Sequence, residues 1–283
     1  MKVSVIIPCY NEEKVIEECL ESLERQTCKD MEVVVVDDGS IDGSIIAIEN
    51  LKLKTQSSKL KVIGQIHKGA GAARNRGVKE ARGDILVFVD ADMTFESDFI
   101  EKLISPILKK EAVGSFSADE MLANKDNVWA RCWNLNRGLP ADRMHVVGDA
   151  IEKQKVFRAI LKKEFDKVGG FDEKAGYTDD WSLAEKLRLE AVRARGAVFY
   201  HKNPDNLREV FVQARWMAKR KYKFGWLGVV VAMLRVSLPV SLVRGIWGVI
   251  RFRIPEYFIF KLLADAASFL GMLEFNWGKR VSK

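Results

Sequence analysis

Three pairs of carboxylates stand where they could do chemistry. In VFVDADMTF, residues 87–95, an apolar run ends in Asp90 and Asp92, one residue apart. MEVVVVDDGS, from Met31, ends in the same way in Asp37 and Asp38, and Asp179 adjoins Asp180 further along. A buried strand that finishes in Asp-x-Asp delivers two oxygen ligands to a sheet edge, where a hard cation can bridge them. Two kinds of chemistry use such a pair. One carboxylate can attack a phosphate ester while the other acts as acid, or the pair can hold a nucleotide diphosphate through Mg²⁺ or Mn²⁺. An acidic surface turn without chemistry fits poorly with a run as apolar as DILVFVDAD.

The elements that must position these residues follow from periodicity. Val3 to Ile7 is a short strand stopped by Pro8, and Val15, Ile16, Cys19, Leu20 and Leu23 then recur at helical spacing. MEVVVVDDGS is a second strand, IIAIENLKL a helix, and KLKVIGQI a third strand. HKGAGAARNRGVKEARG is a Gly-rich loop opening into a basic helix, and DILVFVDAD is the fourth strand. This alternation predicts a mostly parallel sheet with helices on both faces and ligands at the carboxyl ends of the strands. Pro8, Asp37, Asp38, Asp90 and Asp92 all sit at such ends. From Phe99 come a helix, the strand EAVGSFSAD, the aromatic segment NVWARCWNLN and a Gly-rich turn leading to a helix that starts near Asp180. There Asp179 and Asp180 suit the helix dipole. RARGAVFYHKNP reads as one further strand ending in His201.

The chain has 283 residues, 48% of them hydrophobic, enough for a sizeable core. Its net charge of +7 conceals an asymmetry: from Arg215 onward 13 basic residues face 3 acidic ones, and before it 33 face 36. The basic tail is interleaved with long aliphatic runs, a poor match to nucleic-acid binding. Four cysteines at Cys9, Cys19, Cys28 and Cys132 lack zinc or disulfide spacing and read as reduced residues of a cytosolic domain. The N-terminus lacks the apolar stretch and cleavage site of a signal peptide, so the first domain is expected to stay in the cytosol.

Between Trp226 and Ile250 only Arg235 and Arg244 are charged. An arginine near the centre of a span costs about 2.5–3.5 kcal/mol, and Pro239 interrupts the run, so a simple single span is disfavoured. A helix from Val240 would gather Ser241, Arg244, Gly248 and Arg251 into one polar stripe, with Leu242, Val243, Ile246, Trp247 and Ile250 around the rest. Lys261, Asp265 and Ser268 repeat that design. Such helices lie in a membrane interface, where RWMAKRKYK would meet anionic headgroups. Packing on the protein's own core, or on a second copy in a homo-oligomer, is the alternative.

Context separates the two kinds of chemistry. A phosphatase of the haloacid dehalogenase type needs a later acid pair after an apolar strand, but Asp179 and Asp180 follow EKAGYT, which is no strand. Taken in order, SVIIPCYNEE, VVVVDDGSIDGS, KGAGAARNRGV, GDILVFVDADM, KVGGFDE and TDDW resemble the family 2 glycosyltransferases, over roughly residues 2–203. The resemblance implies an α/β GT-A fold, with a Rossmann-like sheet flanked by helices, and inverting transfer from a nucleoside diphosphate sugar with Mn²⁺ or Mg²⁺. Position by position, it implies that Pro8, Tyr10 and Glu12 line the nucleotide pocket and that Asp38 accepts a hydrogen bond from the base. Asp90 would contact ribose or metal, with Ala91 beside it at the donor, and Asp92 would bind the metal. Asp180 would be the general base, and some relatives place a metal-binding histidine where His201 stands.

Physical reasons stand beside the resemblance. A uracil or guanine edge offers N–H donors to a strand-end carboxylate, and a Tyr can stack on the base. A cation neutralises the departing diphosphate, while an acceptor hydroxyl needs a carboxylate to take its proton. Asp179 beside Asp180 would raise the pair's proton affinity. Lys68, Arg74 and the glycines at 69, 71 and 77 resemble a phosphate-cradling loop, of which Arg74 is the contact selected. Asp179 is a candidate for the acceptor side, and Trp129, Arg131, Trp133 and Trp181 either form its wall or belong to the core.

The expected organisation is a catalytic domain at 1–214, its nucleotide half at about 1–98 and its acceptor half at about 99–214, followed by a basic amphipathic region at 215–283. The expected activity is sugar transfer from a UDP or GDP sugar to a lipid or lipid-linked acceptor at the cytosolic face of a membrane. A non-catalytic nucleotide-binding membrane adaptor is the rival.

Overall fold

The structure is a computed structural model that describes residues 1–55, 59–144, 151–173, 179–220 and 222–277. The chain divides into two compact units, Met1–Met121 with Gly148–His201, and Leu122–Val147 with Lys202–Lys283.

The first unit is built on β1 (Val3–Cys9), β2 (Met31–Asp37), β3 (Leu60–Gly64) and β4 (Ile85–Phe88), parallel in the order β3-β2-β1-β4. Alternate strand residues point to opposite faces, and both faces are covered. Val5, Ile7, Val33, Val35, Ile85 and Val87 pack with α1 (Ile16–Glu24), α2 (Ser44–Thr55) and α4 (Phe99–Leu108). Ile6, Val34, Val36, Leu86 and Phe88 pack with α3 (Ala70–Glu80), α6 (Lys162–Lys167) and α7 (Asp179–Leu187). The sheet continues past β4 through β9 (Ala159–Leu161), β6 (Gly114–Phe116), β10 (Ala191–Arg193) and β8 (Lys153–Gln154). The expected mostly parallel α/β sheet is present, with β9 and β8 as its antiparallel members.

Two strand readings are corrected. Pro8 does not stop β1 but pairs within it, opposite Val36. Pairing with β4 ends at Ile6 opposite Phe88, so the last residues of β1 have one strand neighbour, and the missing proline N–H breaks no second ladder. RARGAVFYHKNP is two strands rather than one: Gly196, at φ +75°, turns the chain between β10 and β11 (Phe199–His201). β11 belongs to a second sheet of order β5-β11-β7, with β5 (Met93–Phe95) and β7 (Glu120–Leu122). Asp90 and Asp92 therefore occupy the link where the chain leaves one sheet for the other.

The second unit is helical: α5 (Val128–Asn136), α8 (Leu207–Met217), α9 (Gly225–Arg235), α10 (Leu238–Phe252) and α11 (Tyr257–Trp277). The expected boundary at 214 is displaced, because Cys132 and Trp133 of α5 and Val210 and Ala214 of α8 share one core with Phe260, Ala264 and Ala267 of α11. Trp133 meets Phe260 edge-on at 6.3 Å, and Trp129 packs against the same core. Both tryptophans are thus core residues of this unit.

On α10 the inward residues are Ser241, Gly245 and Gly248. A Cβ on Gly248 would lie 2.2 Å from the Tyr257 ring, so absence of a side chain is what lets α10 approach α11. Ser241 donates to Asp265 Oδ2 (2.6 Å), and Lys261 donates to Asp265 Oδ1 (2.8 Å). The predicted polar stripe accordingly splits: Ser241, Lys261 and Asp265 turn inward as a satisfied buried network, while Arg244 and Arg251 stay exposed. Leu242, Val243, Ile246, Trp247 and Ile250 are exposed as well. Among the described residues no single helix is long and apolar enough to cross a membrane; α9 and α10 pass that test only as a pair bent by 52°.

Candidate active site

The site is assembled at the carboxyl ends of β1, β2 and β4. Asp37 and Asp38 are nearly sealed from solvent. Asp37 Oδ1 accepts the Ser40 N–H at 3.2 Å, a local turn contact. Asp38 organises the following loop: Oδ1 accepts from the Lys68 N–H (2.8 Å) and the Gln65 amide (2.7 Å), and Oδ2 from the Gly69 N–H (2.8 Å). Two N–H groups that the sequence offered to a phosphate thus face Asp38. Tyr10 stacks on His67, with centroids 4.1 Å apart. Gly77 faces away from the loop, since a Cβ there would come within 2.5 Å of Ile6 Cγ2; it sets the approach of α3 to the sheet.

Arg74, 4% exposed, ties distant carboxylates together. Its Nη2 donates to Asp90 Oδ1 and its Nη1 to Asp180 Oδ1, both at 2.7 Å. Arg158 Nη1 donates to Asp90 Oδ2 at 3.1 Å. Burial alone would raise the Asp90 carboxyl, but the Arg158 and Arg74 guanidiniums outweigh it and hold it well below the usual carboxylate range. Arg74 therefore sits as a bridge between acids, a different placement from the expected loop contact.

The neighbouring residue on α3 explains how Asp180 arrives there. Asn75 accepts the Phe171 N–H (2.9 Å) and donates to the Phe171 carbonyl (3.0 Å), stapling the GGFDE segment to α3. Ser182 Oγ accepts the Asp172 N–H, and Lys186 donates to the Gly170 carbonyl, so both ends of α7 are tied to the segment before it. The side chain of Asp179 lies outside the described residues. Trp181 is about half exposed.

Asp92 and His201 meet across the two sheets' junction. In the second sheet His201 pairs with Met93, which brings its Nε2 to 2.9 Å from Asp92 Oδ2; its Nδ1 lies 3.0 Å from Glu120 Oε1. Burial would lower the His201 pKa, yet the hydrogen bonds to Asp92 and Glu120 outweigh it and push it up to about 10. Asp92 Oδ1 is buried without a hydrogen-bond partner. An orphaned carboxylate oxygen beside an imidazole whose other nitrogen is held by a second carboxylate suits a divalent cation. Among the described residues no group of three or more side chains forms a complete metal cage, and both oxygens of Asp90 engage arginines. Burial, then the charges of Asp92 and Asp90, push the neighbouring Glu12 carboxyl up to about 8. Ala91 is buried between the two aspartates.

Sequence reasoning missed Arg158, Glu120, Gln65, His67 and Asn75. Arg158 precedes a three-residue strand too short to give a periodic signal, and Glu120 opens another. Asn75 stood next to Arg74 in a motif already singled out.

Comparison with known proteins bears on the same residues. The family model for glycosyl transferase family 2 matches residues 4–165, which include every strand-end carboxylate of β1, β2 and β4. The uncharacterized glycosyltransferase EpsJ of Bacillus subtilis is 30% identical over 226 residues, covering 74% of this chain and 63% of that protein. The putative glycosyltransferase EpsH of the same organism is 42% identical over 103 residues, 36% of this chain and 29% of that one. The chain thus spans less than two thirds of these relatives. A mannosyltransferase of Pyrobaculum calidifontis, PcManGT, solved in complex with GDP-Man and Mn²⁺, has the same fold with a TM-score of 0.61 at 20% identity, over 99% of this chain and 88% of that one. A model match over more than half of the chain, laid on this sheet and these carboxylates, shows that the chain belongs to glycosyl transferase family 2.

Proposed function

We propose that the chain is an inverting glycosyltransferase that moves a sugar from a UDP or GDP sugar to a hydroxyl or phosphate of a lipid or lipid-linked acceptor. The observation that carries this reading is the convergence of Asp90 and Asp180, 90 positions apart in sequence, on the single Arg74 guanidinium. Asp180 is the general base that takes the acceptor's proton, and Arg74 orients it. Tyr10, at the end of β1, lines the base pocket with Pro8 and Glu12, and Asp38 shapes it by holding the Lys68 and Gly69 N–H groups. Asp92 and His201 are the residues that would hold Mn²⁺ or Mg²⁺, with Asp90 positioned against the donor. A bound divalent cation supplies charge neutralisation for the departing diphosphate. The Mn²⁺ and GDP-Man in the PcManGT complex support this donor chemistry.

The membrane reading is carried by α10, whose inward face is small and polar while its outward face is apolar apart from Arg244 and Arg251. Monomeric soluble proteins rarely expose a contiguous patch of this kind. We place the helical unit on the cytosolic leaflet, its cations against anionic headgroups.

A screen of UDP and GDP sugars with Mn²⁺ or Mg²⁺ tests the enzyme reading. Turnover is expected for one donor, falling about 10²–10⁴-fold in Asp180→Asn while nucleotide still raises the melting temperature. Nucleotide binding without turnover under every condition would favour the adaptor.

A further inference from the structure

The helical unit contains a groove of about 930 Å³ that none of the chemistry above uses. Its floor is apolar, made by Trp133 of α5, Leu227 and Val231 of α9 and Met272 of α11. Arg137, Arg220, Lys223, Arg235 and Arg244 line it too, all exposed. Arg215 and Lys219 of this unit pair with Glu274, and Lys261, which also lines the groove, pairs with Asp265. The five exposed groove cations have no carboxylate within ion-pair distance among the described residues. Arg220 and Lys223 rest over the rings of Tyr222 and Phe224, and Arg244 reaches only the Arg235 carbonyl, at 3.5 Å. Asp265 is the single acid that lines the groove, and its two oxygens already accept from Ser241 and Lys261.

Like charges gathered around a cleft repel one another until an anion enters, and an apolar floor of this size suits a hydrocarbon chain. A free phosphate would leave the floor wet. A neutral lipid would leave the cations unmatched, and a single carboxylate would match few of them. We infer that this groove binds one phosphate-headed amphiphile, its chain along Trp133, Leu227 and Val231 and its phosphate or diphosphate among Arg220, Lys223, Arg235 and Arg244. The inference deepens the lipid-facing reading above and rests on it for the kind of molecule at hand, while the groove is built from the helical unit alone.

The test uses the full chain and dodecyl phosphate below its micelle concentration, with inorganic phosphate and a neutral dodecyl glycoside as controls. Tryptophan fluorescence is expected to report binding of dodecyl phosphate at least tenfold tighter than either control. Lengthening the chain should tighten it roughly three- to fourfold per methylene. The double variant Arg235→Gln with Arg244→Gln should weaken binding tenfold or more, and Ala232→Phe, which fills the groove wall, should abolish it. A photoactivatable dodecyl phosphate, reacted with the unaltered chain, should label peptides from α9 and the preceding loop, a readout that does not depend on how the variants fold. Equal affinity for the glycoside, equal affinity for inorganic phosphate, or labelling confined to other surfaces would overturn the inference. Vesicle flotation is scored separately. Flotation without groove labelling refutes the groove and leaves the membrane reading standing, and groove binding without flotation does the reverse.

Discussion

In the sheet unit, half-buried carboxylates from distant positions are drawn onto a buried cation: Arg74 spans Asp90 and Asp180, and Arg158 closes on Asp90 from the other side. On α10 of the helical unit Ser241, Gly245 and Gly248 turn inward, Ser241 joining Lys261 and Asp265 of α11 in a buried network, and the outward residues are apolar apart from Arg244 and Arg251. The two arrangements resemble each other in hydrogen bonding and differ in what surrounds them. Around Arg74 the apolar residues are inside the protein, as a water-soluble fold requires. Around α10 Leu242, Val243, Ile246, Trp247 and Ile250 face out, the feature on which the proposed membrane contact rests. A hydrogen-bonded polar cluster can thus stand at the candidate site in one region and hold a helix pair together in the other. The distinction lies in whether polar groups remain for a ligand, as Asp92 Oδ1 does, or are all consumed, as both oxygens of Asp265 are.

Removing a cation from each cluster probes this contrast most strongly. Arg74→Met strips two carboxylates of a shared partner and is expected to destabilise by about 3–5 kcal/mol or more, measured by denaturant unfolding. Lys261→Met leaves Asp265 with Ser241 alone and should cost about 3 kcal/mol. The double variant Lys261→Met with Asp265→Leu removes both charges and should recover most of that loss. If it does not, the helical network has a role beyond holding α10 on α11.

A smaller and pH-graded effect is expected at Glu12. Its folded carboxyl, raised from 4.5 to about 8, binds a proton more readily than the unfolded one. In metal-free protein it therefore favours the native state below about 4.5 and loses that contribution as pH rises through about 8. Melting temperatures of Glu12→Gln should drop less than those of the parent chain over that window. The smallest effect on stability is expected on the outward face of α10: Leu242→Gln with Ile246→Gln should change unfolding by no more than about 0.5 kcal/mol per site. The same pair should nevertheless abolish flotation with anionic vesicles. Retained flotation would remove the contrast between the two units.

Much of the site was legible because it rests on local patterns. Apolar runs ending in acids marked β2 and β4, and the order of the motifs pointed to the right family. Pro8 was misread because its place depends on where β4 stops pairing, a property of another strand. The single strand ending in His201 proved to be two because Gly196 turns the chain between separate sheets. Lys68 and Gly69 have the sequence of a phosphate-cradling loop, but Asp38 takes their N–H groups.

By itself the sequence determined the order of strands and helices, the residue types at strand ends and the lopsided charge of the tail, all of which are set by neighbours a few positions apart. Only the tertiary structure decided that Arg74 bridges Asp90 and Asp180, that His201 lies against Asp92, and that the stripe on α10 splits, Ser241 and Gly248 inward and Arg244 and Arg251 outward. Those outcomes depend on which distant surfaces bury one another, and a buried charge or an open oxygen exists only once that burial is complete.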